Sequence, residues 1–423
     1  MKILIAESIP CLNKGEEAIL LGMVAMLREI PDSEIVYFTE YYEDDKIRYD
    51  KIVNKIYSEP LGLNPVEKIL KHLSKGLKLL SAAIISYVLP KNWAQRIFPD
   101  ALKEYLDADV LIIGHDNLYI NKKRLFADAF IILFSRLSNI RLVSLGASVG
   151  PFVGNKIVTA VCGFLLNNFD LIMLREAKSK AYIDTLGVRK PRVEVTCDTA
   201  FLMPAIQNDH NQEIIRRIRM DRQKRKKKIV GLSFSRPLIK RFFSEIPAYN
   251  DKELFFIKEM VAFLNSVSSQ LPVLFVVIDH VTGIVEGDYQ DDRVLHDKIC
   301  QKIDKEYFLR VYSDLTAQET KAIIAELDLL IASRTHAMIA AVSSSVDVIA
   351  LSHQDNFKTI GIIGEICGLL NNIIFMENYN KEELFQIFMR EISNIEKTKV
   401  LLKKKVSLLQ QRILDVAQIL RIL

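Results

Sequence analysis

Asp328-Leu-Leu-Ile-Ala-Ser-Arg-Thr-His-Ala-Met-Ile-Ala-Ala-Val-Ser-Ser-Ser-Val-Asp-Val-Ile-Ala-Leu351 decides how this chain folds. It reads as an apolar strand (328–332), a polar turn with Ser333, Arg334 and His336, a small-residue helix, and a second apolar strand (346–351). Strand, helix and strand in that order form a parallel unit, in which ligands bind just beyond the carboxyl ends of the strands. An Arg at such a place can grip phosphate or carboxylate through two parallel hydrogen bonds, and a His two residues on can move a proton near neutral pH. The same pair also reads as an Arg in a surface ion pair and a His capping its own helix.

Working outward, short apolar runs alternate with helical patterns along the whole chain. Expected strands are 2–6, 34–38, 109–113, 141–145, 170–174 and 193–196, then 229–234, 273–278, 328–332, 346–351 and 372–375. Near-continuous apolar strands separated by helices predict parallel sheets covered on both faces, an α/β class. At 423 residues there is room for two domains. We expect a first lobe over 1–224 with a helical insertion near 60–100, a second over 225–395, and an amphipathic helix over 396–423. That last helix either crosses back to the first lobe or joins copies of the chain.

Between the two series lies 216–228, where nine of thirteen residues are Lys or Arg. It reads as a helix ending in a solvated cationic connection, with anionic lipid or glycan binding as the functional alternative. Nucleic acid is disfavoured because no stacking aromatics stand nearby. Residues 62–93 alternate Lys68, Lys71, Lys75 and Lys78 with Leu, Ile and Val and end at Pro90 and Trp93. That pattern suits peripheral membrane contact, or a helical insertion packed on its own lobe.

Half the residues are apolar, 26% are charged and the net charge is +5, a globular composition. Five scattered cysteines without C-x-x-C spacing point to reduced thiols and a cytoplasmic setting, not to disulfides or zinc. The N-terminal apolar run, 3–6, is too short for a signal peptide, and no run approaches the roughly 20 residues of a membrane span.

Other strand ends carry polar turns. Asn13 and Gly15 open a helix, where free N–H groups attract anions, although Asn13 also serves as a plain N-cap. His115 and Asp116 after Gly114 offer a base with its orienting carboxylate, or ordinary turn chemistry. Ser148 sits in a small-residue turn. Arg175 at a helix start opposes the dipole and calls for an acid (Glu176 or Asp198) or a bound anion. Asp279 and His280 end one strand, and the adjacent Asp291 and Asp292 suit a helix N-terminus. G-x-G-x-x-G, Walker A and H-E-x-x-H motifs are all missing from the sequence.

In order, Asn13-Lys-Gly-Glu-Glu-Ala18, Ser144-Leu-Gly-Ala-Ser-Val-Gly-Pro151, Arg175-Glu176 with Ser179 and Leu186-Gly187, Cys197-Asp198 through Leu202, Ser333-Arg-Thr-His336 with Ala340, and Phe357-Lys358 resemble the polysaccharide pyruvyl transferase family. The resemblance covers about residues 1–375, with departures at Glu16, at His115-Asp116, and at Ser345 and Asp347, where Gly and Pro are usual. It implies two Rossmann-like lobes facing across a cleft, similar to the glycosyltransferase B class. It implies pyruvyl transfer from phosphoenolpyruvate, as donor substrate and with no cofactor or metal, to a sugar of an envelope polysaccharide or its lipid-linked precursor. The product is a cyclic ketal or an enolpyruvyl ether. On this reading Arg334 is the first donor clamp, with Arg175 or Lys358 as a second, and Asn13, Gly15, Ser333 and Ser148 line the site. His336 is the acid or base for the donor, and His115 or Asp116 deprotonates the acceptor. The enzyme then works in the cytoplasm, at the inner face of the membrane. The alternative is a nucleotide-sugar glycosyltransferase, with Glu365 as its ribose-binding carboxylate.

Overall fold

A computed structural model describes residues 1–59, 65–88, 98–118, 125–150, 156–239, 249–282, 291–311 and 314–423. Pro90, Trp93, Pro151 and Phe152 lie outside them. Contacts divide the chain into two compact units, one of Met1–Cys11, Ile19–Thr199 and Arg412–Leu423, the other of Leu12–Ala18 and Ala200–Gln411. The cut at 199/200 falls earlier than the basic stretch, where it was expected.

The N-terminal unit has an eight-stranded sheet in the order β3-β2-β1-β4-β6-β7-β8, with β5 also on β6. These are β1 (Lys2–Ile5), β2 (Glu34–Thr39), β3 (Lys55–Ser58), β4 (Val110–Ile112), β5 (Asp116–Leu118), β6 (Arg141–Val149), β7 (Leu171–Leu174) and β8 (Arg192–Val195). All pairings are parallel. β6 runs four residues beyond expectation because its register shifts between Ser144 and Ala147, where Gly146 takes φ +69°.

The C-terminal unit has six parallel strands in the order β11-β10-β9-β12-β13-β14. They are β9 (Lys228–Ser233), β10 (Val273–Val277), β11 (Phe308–Arg310), β12 (Leu329–Ala332), β13 (Asp347–Ser352) and β14 (Ile373–Phe375). This is the doubly wound order, with its reversal between β9 and β12; the N-terminal sheet reverses between β1 and β4. β12 and β13 are buried at every residue, as strands covered on both faces must be. The fold is thus two Rossmann-like lobes. β3, β5 and β11 were not expected: each is three or four residues long and carries charged or polar side chains.

The first part of the basic stretch is helical as expected, in the helix Gln212–Arg225, and its arginines are paired: Arg217 and Arg225 with Asp221, Arg219 with Glu326, and Arg222 with Asp328. Lys226 ends that helix and Lys228 already opens β9, so the connection is shorter than expected. The terminal helix runs Lys381–Ile422, longer than expected, and from Arg412 it groups with the N-terminal unit.

Ser345 holds φ +62°, a left-handed backbone that explains why glycine suits this position. Ser345→Gly should therefore add about 0.5–1 kcal/mol, read from a urea melt. Asp347 is buried, and burial together with the neighbouring Glu391 pushes its carboxyl up to about 8 from an ordinary 3.8. The folded protein keeps this proton while the unfolded chain releases it, so stability falls as pH rises from about 4 to about 8. Asp347→Asn should remove that fall, and melts across the window should show the variant gaining on the parent as pH rises.

Candidate functional site

The reversal between β9 and β12 is stitched by Ser333. Its N–H donates to the Ser233 carbonyl (2.9 Å), and its hydroxyl accepts from the Ser235 N–H (2.7 Å). Arg334 follows with extended backbone (φ −88°, ψ 114°) and opens the helix Thr335–Ser343. Its side chain lies along Asp292, with Nε 3.1 Å from both carboxylate oxygens and Nη2 2.5 Å from Oδ1. Asp292 is wholly buried and also accepts from the N–H groups of His280 (3.2 Å) and Val281 (3.0 Å). Only Asp291 does the capping expected of the pair, accepting from the Arg293 N–H (2.9 Å). Arg334 is therefore not an uncommitted clamp. Its side chain is 19% exposed and is paired with Asp292.

Residues 12–18 complete this site. Asn13 bridges Val281 in antiparallel fashion, the Lys14 N–H donates to the His280 carbonyl (3.2 Å), and the Asn13 side chain accepts from the Gly15 N–H (3.0 Å). The His336 imidazole lies against Gly15, where a Cβ would stand 2.5 Å from Nδ1; only glycine fits. Lys14 is buried, which lowers its pKa against the raising influence of Asp279, Glu17, Asp314 and Asp292. His280 is buried too, and its Nδ1 has no hydrogen-bond partner among the described residues. Burial holds it well below the usual histidine range, and the positive charges of Lys14, His336 and Arg334 lower it further. Four basic side chains thus stand close together. Lys358 directly precedes Thr359, whose hydroxyl is 3.1 Å from that of Thr335, so it belongs to the same neighbourhood.

Behind them stands a fixed relay. The Phe234 N–H donates to His296 Nε2 (2.8 Å), which leaves the ring proton on Nδ1 to donate to Asp279 (2.6 Å). Arg310 supports Asp279 from the other side at 2.8 Å.

In the N-terminal unit the reversal between β1 and β4 places Glu7 beside His115, with Oε1 3.0 Å from Nδ1. Glu7 also accepts from the His115 N–H (3.1 Å). This corrects the expected pair: the orienting carboxylate is Glu7, not Asp116. Asp116 takes φ +51° and turns to Arg175. Arg175 is 0% exposed, and all three guanidinium nitrogens are engaged, Nε with Ser148 (2.8 Å), Nη1 with Asp198 (2.8 Å) and Nη2 with Asp116 (2.7 Å). Burial alone would lower its pKa, but the Asp116, Asp198 and Glu176 charges raise it on balance. Arg175 and Ser148 thus fasten strand ends and are withdrawn as donor ligands. Among the described residues no cluster of His, Cys, Asp or Glu is arranged to hold a metal ion.

Of the expected residues, Asn13, Gly15, Ser333, Arg334, His336 and Lys358 come together in the C-terminal unit, and His115, Asp116, Ser148 and Arg175 in the N-terminal one. Lys14, Glu7 and the pairing role of Asp292 were missed. Lys14 stands inside the quoted Asn13–Ala18 element, and Glu7 ends the first strand, so both had a sequence signal.

Against known proteins, the sequence profile described as polysaccharide pyruvyl transferase matches residues 13–356. The chain belongs to that family. Pyruvyl transferase is therefore its enzyme class, with a polysaccharide as acceptor. Amylovoran biosynthesis protein AmsJ of Erwinia amylovora is 24% identical over 383 residues, which cover 86% of each chain. Among solved structures, UDP-GlcNAc 2-epimerase from Methanocaldococcus jannaschii superposes with TM-score 0.58 at 12% identity, covering 92% of this chain and 91% of that one. HepE of Anabaena in complex with UDP-glucose gives TM-score 0.54 at 14% identity, covering 99% and 97%. At such identities these likenesses speak for the two-lobed fold.

Replacing Arg175 by Met would leave the buried carboxylates of Asp198 and Glu176, and the partly buried one of Asp116, without their cation and should cost about 3–5 kcal/mol in a guanidinium melt. Unchanged stability with lost substrate affinity would instead return Arg175 to the role of a ligand.

Proposed function

We propose that this pyruvyl transferase takes its pyruvyl group from phosphoenolpyruvate and delivers it to a sugar of an exopolysaccharide or of its lipid-linked precursor, at the inner face of the membrane. The observation that carries this reading is the convergence of Lys14, His280, Arg334 and His336 at the reversal point of the C-terminal sheet. The donor carries about three negative charges near neutral pH, so it needs several cations. Asp292 offsets Arg334, so the buried Lys14 beside it is the further cation of this reading, and the vacant Nδ1 of buried His280 offers a further polar contact.

In the reaction, a proton goes to the donor's methylene carbon, and positive charge develops at the carbon bearing the phosphate. A sugar hydroxyl oxygen bonds to that carbon as its proton leaves to a base, and phosphate then departs with the electrons of the carbon–oxygen bond. The oxocarbenium so formed either takes a second sugar hydroxyl and loses its proton, closing the cyclic ketal, or gives up a methyl proton, leaving the enolpyruvyl ether. His336, set against Gly15, is the proton donor in this proposal. The AmsJ likeness supports an exopolysaccharide acceptor.

Phosphoenolpyruvate should raise the melting temperature of the purified protein, and UDP-glucose should not; the opposite result would put a nucleotide-sugar glycosyltransferase in its place. With a glycan acceptor, inorganic phosphate and a mass gain on the sugar should appear together. His336→Asn should lower kcat by about 10²–10⁴-fold while the phosphoenolpyruvate shift persists. Gly15→Ala, which displaces the imidazole, should reproduce that loss in weaker form.

A further inference from the structure

Three helices of the N-terminal unit form one layer on its sheet: Pro65–Val88, Leu125–Leu137 and Lys156–Leu166. The first two meet so closely at Gly76 that a Cβ there would strike the Phe130 ring, and the third packs beside the second. Their inner sides fill the core with residues such as Leu79, Ile131 and Leu165. Their outer sides are apolar as well. Ile157 is 74% and Phe164 70% exposed; Val161 lies between them on the same stripe, and Leu77, Ile84 and Leu133 continue the surface on the neighbouring helices.

After Lys156 the third helix has no charged residue, Ile-Val-Thr-Ala-Val-Cys-Gly-Phe-Leu-Leu166. A helix apolar all round is normally enclosed by protein or lipid. Among the described side chains of these helices the exposed charges are cationic, Lys78 and Lys156 among them, and the one described acid, Asp128, is buried. A two-fold contact between copies would set these lysines against one another without partners. No helix among the described residues is long and apolar enough to cross a membrane, so any contact with lipid lies in the interface plane.

We propose that this face seats the protein on a bilayer bearing anionic headgroups, Phe164, Ile157 and Leu77 entering the acyl boundary and Lys78 and Lys156 meeting the headgroups. Binding to lipid needs no substrate, so it stands or falls apart from the transfer reaction.

The test is co-sedimentation of the full chain with vesicles of phosphatidylcholine alone, or with about one-third phosphatidylglycerol. The protein should pellet with the anionic vesicles, and less so as salt screens the lysines. Ile157→Glu with Phe164→Glu should weaken vesicle affinity at least about tenfold, since it replaces two of the apolar side chains that enter the acyl boundary by charged ones. Its melting temperature and its phosphate release with a water-soluble acceptor should stay as in the parent. Lys78→Glu with Lys156→Glu, which keeps every apolar contact, should remove the preference for phosphatidylglycerol. Failure of the parent to pellet with either vesicle, or equal pelleting of the double Glu variant, would overturn the proposal. So would a dimer without lipid that Ile157→Glu with Phe164→Glu disperses, because the face would then belong to a second copy.

Discussion

A carboxylate as deeply buried as that of Asp292 survives only when its lone pairs are all answered, since an unpaired buried charge costs several kcal/mol. Here the answer comes from three parts of the chain. Two backbone N–H groups arrive from the end of β10 and a guanidinium from the end of β12, while Asp292 itself opens the helix Asp292–Cys300. One anion thereby fixes the rim on which His280, Arg334 and His336 stand. The strap of residues 12–15 then docks on the same rim through the His280 carbonyl and Val281. Removing the carboxylate would release all of these at once.

The N-terminal unit solves the inverse problem. Its central ion is a cation, Arg175, answered by Asp116, Asp198 and the Ser148 hydroxyl. Glu176 in turn accepts from Ser148 and Ser179, so β6, β7 and the turn after β8 are laced through one guanidinium. Arg175 was expected as a donor clamp because an Arg at a helix start is unfavourable without an anion. The anion exists, but it is the protein's own. Burial distinguishes the cases: a ligand-binding Arg keeps an open edge, whereas this one has none.

That distinction marks how far the sequence is legible. Eleven strands follow from apolar runs, and the helix between β12 and β13 follows from Ala-rich spacing after Ser333 and His336. The three missed strands are edge or rim pieces whose pairing comes from neighbours, not from their own apolar content. Local spacing also put Asn13, Gly15, Arg334 and His336 at strand ends, where the sheet order then gathers them. What spacing cannot give is which carboxylate meets which base across about a hundred residues. His115 finds Glu7 because β4 pairs with β1, and the adjacent Asp116 is carried away by its left-handed backbone. Ser345 is the converse case, a departure whose sense is clear once φ is known.

Charge balance around the C-terminal site bears on how an anionic donor would be held there. Lys14, Arg334 and Arg310 stand among Asp292, Asp279 and Glu17, so part of the positive charge here is already answered before a donor arrives. Cations already partly answered by carboxylates pull less hard on a ground-state anion. They gain most where new charge appears, and the reaction proposed above creates it when the proton moves and phosphate departs. In that setting Asp292 serves less to cancel Arg334 than to aim it, holding the guanidinium plane fixed so that little reorganisation is left for the moment of transfer. Burial lowers the pKa of Lys14 against the carboxylates around it, and an anion beside it would favour its charged form further. The same carboxylate that organises the fold of this rim thus sets the threshold at which it begins to bind.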